Sequence, residues 1–315
     1  MARLCVDFGG TNIKMGLAVA GEFAATAEFP VTGTDADLRA VAGAAARFGV
    51  GPDGVDVVAM AVPGLIDVAG TRLVQAHGKY DWMLGADLGA WTREAFGAVG
   101  IVENDARAAL MGELAAGALA GERNAVALVL GTGIGTAAML DGRLVRGATG
   151  AAGNLGGHVT LDWDGPVCNC GNIGCAEVYG GSWALRDRVA DALATVGDDA
   201  LRATWAQRLD GSAPLGFAEI FQGAAAGDPV AAEVRDRAIR AWAVTAVACC
   251  HLIEPGVVIL AGGVARSAAT VLPALEEYVR AHIWSALPAP RFVASEAPEL
   301  SVLRGLAVLE APSAR

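Results

Sequence analysis

Two stretches of this chain run through the same order of parts, and that repetition limits the folds available to it more than any other feature. In the first, Leu4 to Phe8 is an apolar run containing Asp7, followed by the glycine loop Gly9-Gly10-Thr11, the run Ile13 to Val19, a turn at Gly21 and the run Phe23 to Phe29. In the second, Ala125 to Leu130 is followed by Gly131-Thr132-Gly133-Ile134-Gly135, the run Thr136 to Leu140, the hairpin dipeptide Asp141-Gly142 and Arg143-Leu144-Val145. Gly10 to Gly21 and Gly131 to Gly142 are each 11 residues apart. A strand, a glycine loop and a returning strand in each of two halves predict a duplicated α/β architecture whose loops hold a nucleotide between them. A Rossmann loop needs a helix directly after its glycines, and here a strand follows both times. Neither loop has the Gly-Lys-Ser/Thr ending of a P-loop. Glycines serving only tight turns would account for either loop alone; two in the same frame, the first led by Asp7, call for a ligand.

The remaining pattern alternates short apolar runs with helical stretches. Helices are expected over Asp35 to Phe48, Asp87 to Phe96 and Asp105 to about Leu119, with buried strands over Val55 to Val62, ending at Pro63-Gly64, and over Val99 to Val102. Asn104 is placed to cap the third helix, and Asp105 falls in its first turn, where the dipole favours negative charge. The chain has 315 residues, enough for two lobes with separate cores, and no low-complexity linker divides them.

Charge and hydropathy remove other classes. A net charge of −11 opposes general nucleic-acid binding. Hydrophobic residues make up 54%, but the longest nearly apolar stretch, Ala241 to Ile253, is too short to span a bilayer. It reads as a core helix. Asp7 lies where a signal peptide would need its apolar centre, so a cytoplasmic protein that engages neither membrane nor nucleic acid is expected.

Loop amides, with Thr11 and Thr132, would donate to phosphate oxygens. Asp7 cannot touch phosphate without repulsion, but it can hold a hydrated Mg²⁺ that does. Lys14 would add positive charge, or simply be a solvated strand lysine. Three of the six cysteines, Cys5, Cys249 and Cys250, sit in apolar runs and read as buried thiols. The others cluster as Cys168-Asn169-Cys170-Gly171-Asn172-Ile173-Gly174-Cys175, ten residues after His158. Three thiols and an imidazole make a closed tetrahedral set for a structural zinc, in a compartment where a disulfide is disfavoured.

Asp7 to Lys14, the run Glu103-Asn104-Asp105-Ala106, the loop Leu130 to Gly135, and above all His158 followed by Cys-x-Cys-Gly-x-x-Gly-Cys-x-Glu177 resemble the ROK family of sugar kinases and sugar-responsive repressors. The resemblance covers essentially the whole chain. It implies an α/β, two-lobed actin/hexokinase-like (ribonuclease H-like) fold with duplicated domains and a central cleft for nucleotide and sugar. A small lobe would comprise residues 1–118 and a C-terminal helix at about 301–315, and a large lobe residues 119–300 with the zinc segment 158–175. It further implies ATP with Mg²⁺, a hexose or amino sugar as acceptor, Asp105 as catalytic base, and Gly64, Asn104, His158 and Glu177 on the acceptor side. Gly262-Gly263, after the run Val257 to Ala261, resembles the family's nucleotide-side glycine pair, alongside Asp7, Gly9, Gly10, Thr11, Lys14, Gly131, Thr132, Gly133 and Gly135. Family kinases are commonly dimers or tetramers.

Two departures fall on the acceptor side. The family usually reads Gly-Glu-x-Gly-His, whereas this chain has Gly153-Asn154-Leu155-Gly156-Gly157-His158, an amide in place of a carboxylate with one glycine inserted. The stretch His77-Gly78-Lys79-Tyr80-Asp81-Trp82 also differs from the usual Asn-Leu-x-Trp. Among family functions, a DNA-binding repressor would need a helix-turn-helix module ahead of the first strand, where only three residues precede Leu4. A sugar-binding or nucleotide-hydrolysing relative without transferase activity is the remaining alternative.

Overall fold

The computed structural model describes residues 2–76, 80–211 and 215–310. Of the altered stretch, His77-Gly78-Lys79 lies outside the described residues, as does the end of the expected C-terminal helix from residue 311.

Twelve strands are present among the described residues: β1 (Ala2–Phe8), β2 (Asn12–Val19), β3 (Glu22–Pro30), β4 (Val57–Val62), β5 (Leu65–Ile66), β6 (Leu73–Gln75), β7 (Val99–Asn104), β8 (Ala125–Leu130), β9 (Ile134–Leu140), β10 (Arg143–Leu144), β11 (Val257–Ala261) and β12 (Arg291–Ala294). They form one five-stranded sheet in the order β3-β2-β1-β4-β7, a second in the order β10-β9-β8-β11-β12, and the small pair β5-β6. The sequence repeat is thus a repeat of topology. In the first sheet two antiparallel pairings, β1 with β2 and β2 with β3, are followed by parallel pairings of β1 with β4 and β4 with β7. The chain groups into two compact units. One comprises Met1–Ala127, Thr136–Asn154 and Ser295–Arg315; the other comprises Leu128–Gly135 and Leu155–Ala294.

Alternation along β1 explains how the first unit is built. Leu4, Val6 and Phe8 enter a core of large side chains with Val58, Met60, Met83 and Leu88. Cys5 faces the other way, into a second apolar cluster with Ala59, Ala61, Ala108, Leu303 and Leu306. Asp7 shares the parity of Cys5, which turns it toward the face covered by the helix Asp105–Ala116. That helix crosses the C-terminal helix Ser301–Val308 at van der Waals contact of backbones, because a Cβ on Gly112 would overlap the Ser301 carbonyl and one on Gly305 the Ala108 carbonyl. Expected helix ends shift only slightly. The helix after Asn104 stops at Ala116 rather than Leu119, and the amide of Gly117 closes it by donating to the Glu113 carbonyl.

In the second unit the apolar stretch Ala241 to Ile253 is the latter half of the helix Pro229–Ile253. Asp228 caps its start, accepting from the amides of Val230 and Ala231, and Pro229 occupies the first turn where its missing N–H costs nothing. Val230, Val234, Ala238, Trp242 and Ala246 are buried, while Leu252 near its end is exposed. No helix among the described residues is long and apolar enough to cross a membrane.

Candidate active site

Each unit carries its own share of the residues singled out above. In the first unit, Asp7 is the last residue but one of β1, directly across the antiparallel register from Lys14. The Gly9 amide donates to the Asn12 carbonyl at 3.1 Å, and a Cβ at Gly9 would overlap that same oxygen, so the loop can close this tightly only with glycine there. Thr11 and Gly10 are exposed. Tyr80, from the altered stretch, donates its hydroxyl to the Gly9 carbonyl at 2.8 Å and packs edge-on against Phe8, fixing the loop from behind.

Asp7 is only 9% exposed, and its carboxyl is pushed up to about 7, chiefly by burial and then by the nearby charge of Asp105, with Glu28 adding and Lys14 opposing. Asp105 opens its helix half-buried, and the side chain of Asn104 before it fixes the helix start. The Asn104 Oδ1 accepts from the amides of Ala106 and Arg107, and its Nδ2 donates to the Gly64 carbonyl at 3.0 Å. Gly64 has φ +132°, and a Cβ there would overlap the Gln75 carbonyl, so the tie from Asn104 reaches a position that only glycine fills.

Beneath Asp105 lies an ion network that the sequence reading did not single out. Glu103, fully buried, accepts from the Asn104 amide and pairs with Arg107 at 3.4 Å and Arg146 at 2.5 Å. Arg107 also donates to the carbonyls of Val145 and Ala152. The available signal was the acid and base four residues apart at a helix start. Asn154, at the end of that loop, is 8% exposed, and neither its Oδ1 nor its Nδ2 has a hydrogen-bond partner.

In the second unit the Gly131 amide donates to the Gly133 carbonyl and Gly135 continues into β9, while Gly262 takes φ +76° against the backbone of Leu130 and is followed by Gly263. Thr132 accepts through its carbonyl from the Trp183 amide at 3.1 Å. The carboxylate of Glu177 accepts from the Ile134 amide at 2.8 Å and from the Trp183 indole at 3.2 Å. His158, Cys168, Cys170 and Cys175 converge, their ligand atoms all within 4.8 Å of one another. The Cys170 and Cys175 sulfurs stand 3.7 Å apart, and the Cys168 sulfur is 3.8 Å from His158 Nδ1. A tetrahedron with arms of about 2.3 Å has edges of about 3.8 Å, so the donor set fits a small thiophilic ion such as Zn²⁺. Burial pushes the Cys168 thiol up to about 12, and a cation bound by the cluster would favour the thiolate instead. Cys5 and Cys250 are buried, and Cys249 is only half-buried.

Two glycine loops on duplicated five-stranded sheets, one led by an aspartate, define an α/β protein of the actin- and hexokinase-like fold. The family model described as "ROK family" matches residues 3–311, and the chain belongs to the ROK family. It is similar to the crystal structure of a ROK family glucokinase from Streptomyces griseus in complex with glucose and AMPPNP, with a TM-score of 0.81 and 27% identity over 98% of each chain. The ROK hexokinase from Thermus thermophilus gives a TM-score of 0.77 and 29% identity over 98% of this chain and 97% of that one. Among curated relatives, the glucokinase of Streptomyces coelicolor is 32% identical over 87% of this chain and 86% of its own length. The Thermotoga maritima glucokinase is 35% identical over 56% of this chain, and the match spans 55% of its length. The xylose repressor of Bacillus subtilis is 35% identical over 42% of this chain and 34% of its own length.

Proposed function

We propose that this chain is an ATP-dependent sugar kinase that transfers the γ-phosphoryl group to a hydroxyl of a hexose or amino sugar, with Asp105 as the general base. The observation that carries the reading is the placement of Asp105. An asparagine cap holds it at a helix start beside the buried Asp7, and both stand in the unit that carries the first glycine loop. In this reading Asp105 takes the proton of the acceptor hydroxyl, the oxygen so freed bonds to the γ-phosphorus, and the bond to the β-bridging oxygen breaks to release ADP. Gly64, Asn104 and Asn154 of the first unit, and His158 and Glu177 of the second, are the residues assigned to the acceptor.

The loop residues Gly9, Gly10, Thr11, Gly131, Thr132, Gly133 and Gly135, with Gly262 and Gly263, serve the nucleotide, and Lys14 offsets phosphate charge. Asp7 would hold Mg²⁺ through water, and the ion's chemistry there is to neutralise charge on the phosphoryl oxygens. The Cys₃His set would hold structural zinc. The same reading places the protein in the cytoplasm as a homodimer or homotetramer.

The similarity to a xylose repressor supports a second reading, in which the fold binds sugar without turning it over. ADP release measured across hexoses, amino sugars and water alone separates the two. Sugar-dependent ADP release supports the kinase. Sugar binding by calorimetry without any ADP release refutes it.

A further inference from the structure

The helix Ala176–Gly180 joins the cysteine cluster to the glycine loop Gly131–Gly135. Its N-cap is Cys175, a member of the Cys₃His cluster, and Glu177 stands in its first turn, two residues beyond that sulfur. From there Glu177 reaches the loop Gly131–Gly135: Oε2 accepts the Ile134 amide at 2.8 Å and Oε1 accepts the Trp183 indole at 3.2 Å. A Cβ on Gly133 would overlap the same carboxylate, so glycine is what admits the side chain there. The backbone just past the helix continues the contact, with the Ser182 amide donating to the Gly131 carbonyl at 3.0 Å and the Trp183 amide to the Thr132 carbonyl at 3.1 Å. Segment 177–183 thus holds three of the five loop residues.

The two ends of this helix are anchored differently. Its C-terminal end is held by the core, where the Trp242 indole donates to the Gly180 carbonyl at 2.9 Å. Its N-terminal end leads out of the cysteine cluster, where the Ala176 amide donates to the Val159 carbonyl at 2.9 Å and Cys175 forms a bridge with Thr160, and five residues are too few to hold a helix by themselves. The ion that draws Cys168, Cys170, Cys175 and His158 together would add to that hold on the end from which Glu177 projects.

We propose that Glu177 is a positioning residue through which metal in the Cys₃His cluster sets the geometry of the loop Gly131–Gly135 and, with it, the affinity for a nucleotide phosphate. The inference rests on the nucleotide reading above for its second half only. Coupling of this kind is typically worth about 5- to 150-fold, and it is reciprocal: whatever factor the metal contributes to nucleotide affinity, the nucleotide contributes to metal affinity.

Amide hydrogen exchange of the loop, with no nucleotide present, reads the first half. It is measured on the zinc-loaded protein, the chelator-stripped protein and loaded Glu177→Ala. Protection of the Ile134 amide is expected to fall about tenfold or more on stripping. The same fall is expected in Glu177→Ala, with one zinc still bound and no further fall on stripping. Kd for a non-hydrolysable ATP analogue, titrated without acceptor, should rise by a similar factor in each case and not multiply in the two together. Unchanged Ile134 protection and unchanged Kd in stripped protein that keeps its circular dichroism would overturn the proposal, as would multiplicative effects. Should stripping unfold the chain, Glu177→Ala decides alone: Ile134 protection retained beside bound zinc overturns it. A loaded protein that binds no nucleotide analogue defeats the nucleotide half together with the kinase reading, and Ile134 exchange still decides the coupling.

Discussion

Arg107, two residues beyond Asp105, donates from its guanidinium to the carbonyl of Ala152 at 2.6 Å, two residues before Asn154. The buried pair with Glu103 holds that guanidinium in place, so the helix start bearing Asp105 and the loop leading to Asn154 are tied at one point. Removing the arginine leaves the two loop carbonyls without this donor, while Glu103 keeps Arg146 and the Asn104 amide. Arg107→Ala is therefore expected to lower unfolding free energy by about 1–3 kcal/mol, with Arg107→Lys losing less. Denaturant titration checks this; a loss within the range of ordinary surface substitutions, about 0.5 kcal/mol, contradicts it.

Asp7 gives a pH dependence of definite sign. Its carboxyl is raised from 3.8 to about 7 by burial first and by Asp105 second. The folded state thus binds a proton over a range where the unfolded state has released it, and stability falls as pH rises from about 4 to about 7. Asp7→Asn should flatten the ligand-free stability profile over that window. A divalent cation held through Asp7 needs the carboxylate, so Mg²⁺-dependent nucleotide binding should weaken below pH 7 in the parent protein. Calorimetry at pH 6 and pH 8 with equal affinity would refute the assignment of Asp7.

One tightly held zinc per chain is expected by elemental analysis, and Cys170→Ser should lower the melting temperature of the second unit. A structural zinc contributes folding free energy outright. Metal-free protein that melts like the loaded form contradicts the Cys₃His reading.

The buried amide of Asn154 has no protein partner on either polar atom, so a ligand that both accepts and donates would satisfy it. A carboxylate in its place could only accept. Acceptors bearing a carbonyl, such as the N-acetylhexosamines, should therefore gain relative to glucose. Asn154→Glu should reverse the ratio of kcat/KM between the two. An unchanged ratio would mean that Asn154 does not read the acceptor.

What the sequence disclosed follows from how local each interaction is. The Asn104 cap, the Asp141-Gly142 turn and the spacing of the two glycine loops depend on neighbours a few residues away, so residue type and order suffice. The bond from Tyr80 to Gly9 spans 71 residues, and the Gly112–Gly305 crossing joins helices from opposite ends of the chain. Neither leaves a periodic trace. Glu177 stood out through its place after the cysteines, but its grip on Ile134 appears only once the helix and the loop are brought side by side. Glu103 lies at the end of a strand and Arg107 in the first turn of the alanine-rich helix that follows, where an acid and base four residues apart ordinarily mark a solvated face.

The central claim is that Asp105 accepts the proton of a sugar hydroxyl. Initial rates of ADP formation with the preferred acceptor, compared between the parent and Asp105→Asn, test it most directly when the nucleotide-analogue Kd is measured on the same samples. The expected result is a kcat lower by about 10² to 10⁴ or more with Kd unchanged. A kcat within about tenfold of the parent, below the least that general-base catalysis supplies, would contradict it.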